Sequence, residues 1–154
     1  MELLSQARVL ITLVIAIVLG GLIGLEREMA GKPAGLRTHM LVAVSSALLV
    51  TLGNVIVIQF DVPQHMRADP IRIIEAIIVG ISFLGAGTII QREERGNVEG
   101  LTTSASILAA AAIGIAVALN LMVISVGTTL LILIINRAMS FLERWMYRRF
   151  RDSG

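Results

Sequence analysis

Chemistry in this chain would fall to a handful of ionisable and hydroxyl residues set in or beside long apolar runs. Glu75 is the clearest, about one turn inside an apolar stretch. An acid at membrane depth marks a proton or cation site by default, unless a neighbour neutralises it. Arg72, three residues earlier on the same helical face, is such a neighbour, so a structural ion pair and a transport site both fit the spacing. Glu26, Arg27 and Glu28 close the first apolar run and read as interfacial charge. His39 reads as a polar cap near the membrane surface; His65, the other histidine, falls on the opposite side, so no metal site is expected. The run from Asn97 through Glu99, Gly100, Thr102 and Thr103 to Ser104 sets hydroxyls and free N–H groups at a helix start. Arg27, Lys32, Arg37, Arg92 and Arg95 converge on the same side. A phosphate-like ligand or acidic partner would suit that pattern, but helix capping and a charge bias that orients the chain account for it without one.

Small residues form a second set. Thr102, Ser106, Ala110, Gly114 and Ala118 recur every four residues, and Gly20 with Gly24 makes another small-xxx-small pair; both are signals for close helix packing. Gly80, Gly85 and Gly87 lie within eight residues of one another. They suit close packing, or a kink whose unwound carbonyls would face a cation. There is no phosphate-binding Gly-x-x-x-x-Gly-Lys-Ser/Thr loop, no nucleophile elbow, no paired histidines and no cysteine, so no enzyme, cofactor or metal centre is expected. Nothing points to nucleic acid.

The elements that carry these residues follow from hydropathy. Of 154 residues 56% are apolar and 16% charged, with mean hydropathy +0.86, so lipid is the expected solvent. At roughly 20 residues per crossing, the runs 9–25, 38–60, 71–90, 101–119 and 121–137 predict five transmembrane helices in one all-α domain, with a basic tail over 138–154. The stretch from Leu101 to Ile135 is about 35 residues, too long for one crossing, and Asn120 is its natural break. Trp145 and Tyr147 are placed like interfacial anchors. Ten of the thirteen basic residues fall on the loops and tail that share one side, against Arg8, Arg67 and Arg72 on the other. Short basic loops stay cytoplasmic, which puts the N-terminus outside and the C-terminus in the cytoplasm.

Three ordered segments resemble the MgtC/SapB family of bacterial inner-membrane proteins: Gly-Leu-Glu-Arg-Glu at 24–28 with Ala-Gly-Leu-Arg-Thr at 34–38, Gly-Ile-Ser-Phe-Leu-Gly-Ala-Gly at 80–87, and Asn-Val-Glu-Gly-Leu-Thr-Thr-Ser-Ala at 97–105. The resemblance covers about residues 8–137 and implies a multi-pass inner-membrane protein. It implies adaptation to low magnesium and, in pathogens, survival inside host phagocytes. It also implies action by contact with other membrane proteins, such as the proton-translocating ATP synthase and phosphate-uptake control. Longer members carry a soluble C-terminal domain, and this sequence ends soon after its fifth span.

Two functions are therefore expected in competition. One is a regulatory or interaction protein that uses small-residue faces to bind partner helices or copies of itself. The other is a small oligomeric transporter or channel that passes magnesium or protons by Glu75 and the glycine stretch. Five spans do not divide into equal inverted repeats, which weighs against transport.

Overall fold

Hydrocarbon offers no hydrogen bonds, so an apolar chain in lipid must satisfy its backbone within its own helices. The computed structural model describes residues 3–59, 70–92 and 97–151, and it does so with five helices: α1 Leu3–Met29, α2 Leu36–Gln59, α3 Pro70–Ala86, α4 Leu101–Ala118 and α5 Met122–Arg151. Four of them, α1, α2, α4 and α5, are long and apolar enough to cross a membrane. The 17 residues of α3 are nearly all apolar and rise about 25 Å. The expectations placed on Pro63, His65, Arg67 and Arg95, and on the side chains of Arg92, Asn97, Arg144 and Tyr147, lie outside the described residues.

Two helix ends are set by left-handed residues. Beyond α1, Gly31 has φ +66°; its N–H donates to Glu28 O and that of Lys32 to Arg27 O, both at 3.0 Å, a Schellman turn that stops the helix and reverses the chain into α2. The same pair of bonds closes α4, where Asn120 at φ 62° donates to Val117 O and Leu121 to Ala116 O. Asparagine is the commonest substitute for glycine there. The predicted break at Asn120 thus has a definite geometry.

Between α3 and α4 the chain departs from expectation. The apolar run continues to Ile90, but the helix stops at Ala86 and Ile90–Arg92 pairs with Asn97–Glu99 as a two-stranded antiparallel ribbon, Ile90 opposite Glu99. Gly85 and Gly87 weaken the last turn, and Thr88 Oγ1 donates back to Gly85 O at 2.8 Å. Gly100 then opens α4 in the left-handed region at φ 94°, packed so closely on Thr88 O that a Cβ would overlap it.

Contacts between helices fix their directions. Gly20 meets Ala43 and Gly24 meets Leu36, so α1 and α2 are antiparallel. His39 bonds to Ser106 and Gly114 packs on Ala43, so α2 and α4 run the same way. Gly53 against Ile73 and Gly85 against Ser104 set α3 antiparallel to both α2 and α4. Ala16, Leu19 and Ile23 of α1, Ala43 and Ala47 of α2, and Ile113 and Val117 of α4 form the central core. The helix with the largest buried share is α4, while α3 and α5 hang on the edges of this three-helix centre.

Candidate functional site: a buried polar cluster

At the end of the bundle where α1 turns into α2, polar side chains meet inside the protein. Arg27 is only 3% exposed. Its Nε and Nη2 donate to the two carboxylate oxygens of Glu26 at 2.7 and 2.8 Å, a bidentate, charge-assisted pair. Asn136 Nδ2 of α5 donates to the same carboxylate at 2.8 Å, tying the last helix to the first. Both oxygens of Glu26 are thereby occupied. Two residues on, Glu28 accepts a bond from the N–H of Leu36 at 2.8 Å, placing a negative charge at the start of α2.

His39 stands in the first turn of α2, and its side chain is fully buried within the bundle. Gly24 and Gly20 are the reason. They share a face of α1 with Arg27, and a Cβ on either would come within 3.0 Å of His39 Cβ or 2.7 Å of His39 O respectively, so only glycine lets this turn of α2 press against α1. The ring bridges two further elements. Nδ1 lies 2.8 Å from Gly35 O, Nε2 lies 3.0 Å from Ser106 Oγ, and Ser106 Oγ donates to Thr103 O at 2.8 Å. Both carbonyls can only accept. Filling all three links at once needs a proton on each ring nitrogen, whereas a neutral ring leaves one link without a proton.

Of the residues singled out by sequence, the fold brings together Glu26, Arg27, Gly20, Gly24 and Ser106, with Ala110 and Gly114 continuing the same packed seam of α4 against α2. It sets others apart. Glu75 and Arg72 are both exposed on α3, and the structural ion pair, one of the two readings of their spacing, is not among those of the described residues. Arg37 and Thr102 are exposed. The start of α4 is capped by Gly100 without any side-chain hydrogen bond, so the hydroxyls there do not cap it. Gly85 packs on Ser104 and Gly87 belongs to the turn after α3, but nothing lies within 4 Å of a Cβ built at Gly80, which is no packing glycine. Ala118 is half-buried. The ladder from Ser106 to Gly114 is spent inside the chain's own bundle, so it is not available to a partner helix.

Sequence reasoning missed His39, Asn136 and Thr103 as members of the cluster. Asn136 carried a signal: it is the first polar side chain after the run ending at Ile135, one position before Arg137. Chemically the cluster is a set of fixed donors and acceptors that locks four helices. Glu26, the part-buried carboxylate of the cluster, accepts from Arg27 on both oxygens and from Asn136 on one of them.

A family model described as the MgtC family matches residues 13–145. Relatives include SapB of Bacillus subtilis, 42% identical over 70% of this chain and 46% of its own, and MgtC of Brucella abortus, 37% identical over 79% of this chain and 47% of its own. A third, named "Putative magnesium transporter YhiD" in Escherichia coli, is 42% identical over 72% of this chain and 51% of its own. The chain spans about half the length of the curated relatives it matches. No solved structure matches.

Proposed function

Because the chain belongs to the MgtC family, we propose that it is a regulatory membrane protein of the bacterial inner membrane, linked to magnesium limitation or a related stress, that works by contacting other membrane proteins. One observation carries this reading: Glu26, Arg27, His39, Ser106 and Asn136 are held by one another or by backbone carbonyls as a clamp between helices, and the surfaces left for function include the outer faces of α3 and α5. On those faces Phe83 is 80% and Val123 88% exposed. A photoreactive amino acid placed at either position in native membranes is expected to yield a discrete protein adduct. Lipid adducts alone at both positions would overturn the reading.

A cation pathway is the second reading, favoured by the name of the Escherichia coli relative, "Putative magnesium transporter YhiD". Under it, Glu75 lines a path formed between copies of the chain, since within one copy it faces outward. Purified protein in liposomes would then carry magnesium or protons, and Glu75→Gln would abolish the flux. Absent or Glu75-independent flux removes it.

A further inference from the structure

A groove of about 890 Å³ runs between α2 and α3 on the outside of the bundle. Its walls are Leu49, Leu52 and Ile56 from α2 and Ile77, Gly80 and Leu84 from α3, with Arg72 at one end. Along α3 the distance from Arg72 to Leu84 is about 18 Å at 1.5 Å per residue. Arg72 stands in the first turn of α3, where a span meets the headgroup layer; its side chain is exposed, and it makes no ion pair among the described residues. The groove is therefore cationic at its interfacial end and apolar along the rest of its length, apart from Ser45 and Ser46 of α2 toward the Leu84 end. Glu75, one turn away, is not part of its wall.

We propose that this groove binds an anionic phospholipid of the surrounding bilayer, with the phosphate on Arg72 and one acyl chain laid along α2 and α3. The charge pattern selects the occupant. A transmembrane helix of another protein would bury the Arg72 guanidinium in the contact, whereas a lipid headgroup meets it where it stands, and arginine is the side chain whose planar fork matches a phosphate. Gly80 contributes by having no side chain: with nothing within 4 Å of its Cβ position, it widens the groove at the depth of the acyl chain. This inference stands apart from the regulatory reading and holds whether or not the protein has a partner.

The test uses the whole chain in nanodiscs containing equal amounts of phosphatidylglycerol and phosphatidylethanolamine, with lipids retained on release counted by native mass spectrometry. The wild type is expected to retain one phosphatidylglycerol in preference to phosphatidylethanolamine. Arg72→Gln lowers that preference about tenfold, the equivalent of one lost charge-assisted contact. Gly80→Leu, whose Cβ has nothing within 4 Å and whose side chain projects into the groove, loses the bound lipid while helix content and thermal midpoint stay at the wild-type values. Glu75→Gln keeps the preference. Equal retention of the two lipids by the wild type, an unchanged preference in Arg72→Gln, or a bound lipid that survives Gly80→Leu overturns the proposal. So does a wild-type dimer that Gly80→Leu converts to monomer, since the groove would then be an interface between copies.

Discussion

Arg27 is a full charge in the protein interior, and what keeps it there is a carboxylate one residue away. Adjacent residues on a helix point about 100° apart, so a bidentate bond between them forms only because the guanidinium curls back on its own helix. Breaking a buried pair by removing one partner is worse than removing both, because it strands a charge. Glu26→Ala is thus expected to lower stability by about 3–5 kcal/mol, and Glu26→Ala with Arg27→Met by clearly less. Asn136→Leu, which removes a bond to an ionised acceptor, is expected to cost about 1.5–3 kcal/mol. Thermal unfolding in one detergent gives the order wild type, Asn136→Leu, double variant, Glu26→Ala from most to least stable. A double variant no better than Glu26→Ala would show that the pair is not the source of the loss. The charges of this cluster stood in the sequence in plain view, but their depth did not: a terminal Glu-Arg-Glu reads as interfacial whether it faces lipid headgroups or another helix. The histidine was hidden for a related reason. Apolar residues surround α2 on all sides, so its composition marks no inner face.

The helices separate two kinds of glycine that spacing alone could not tell apart. Gly114 lies so close to the backbone of Ala43 that a methyl group there would overlap it, while a methyl group at Gly80 meets nothing within 4 Å. Gly114→Leu is expected to force α4 from α2, break the His39–Ser106 bond between them and cost the protein its fold, seen as aggregation on size exclusion and loss of protease resistance. Gly80→Leu is expected to behave as wild type in both assays. Similar behaviour of the two variants would contradict the packing described here. Crossings were legible because bilayer thickness fixes their length, and the break at Asn120 was legible because a 35-residue run, about twice one crossing, must turn somewhere. The short ribbon between α3 and α4 was not. Three-residue strands carry too little alternation to stand out, and what ends α3 is a glycine-weakened turn locked by a threonine side chain, a local balance that hydropathy does not weigh.

The molecule as a whole turns on α3. Helix directions alternate along the chain: Met122 packs on the core that holds Ala16 while Asn136 bonds to Glu26, so α1 and α5 run the same way, which leaves the beginning of α1 and the end of α5 at opposite ends of the bundle. At about 25 Å, α3 is shorter than a hydrocarbon core of about 30 Å, so a crossing by α3 is expected to need local thinning of the bilayer or help from the residues that flank it. The basic residues assign the compartments: with ten of thirteen on one side, that side is expected to be cytoplasmic and the N-terminus to be outside. A fluorescent protein fused after the C-terminus is expected to fold and glow, while alkaline phosphatase fused there stays inactive and the same enzyme at the N-terminus becomes active. The informative failure is both ends in one compartment. It would mean that α3 enters and leaves by the same face, and with it the groove mouth at Arg72 and the outward position of Glu75 would lose the membrane depth that gives them their meaning.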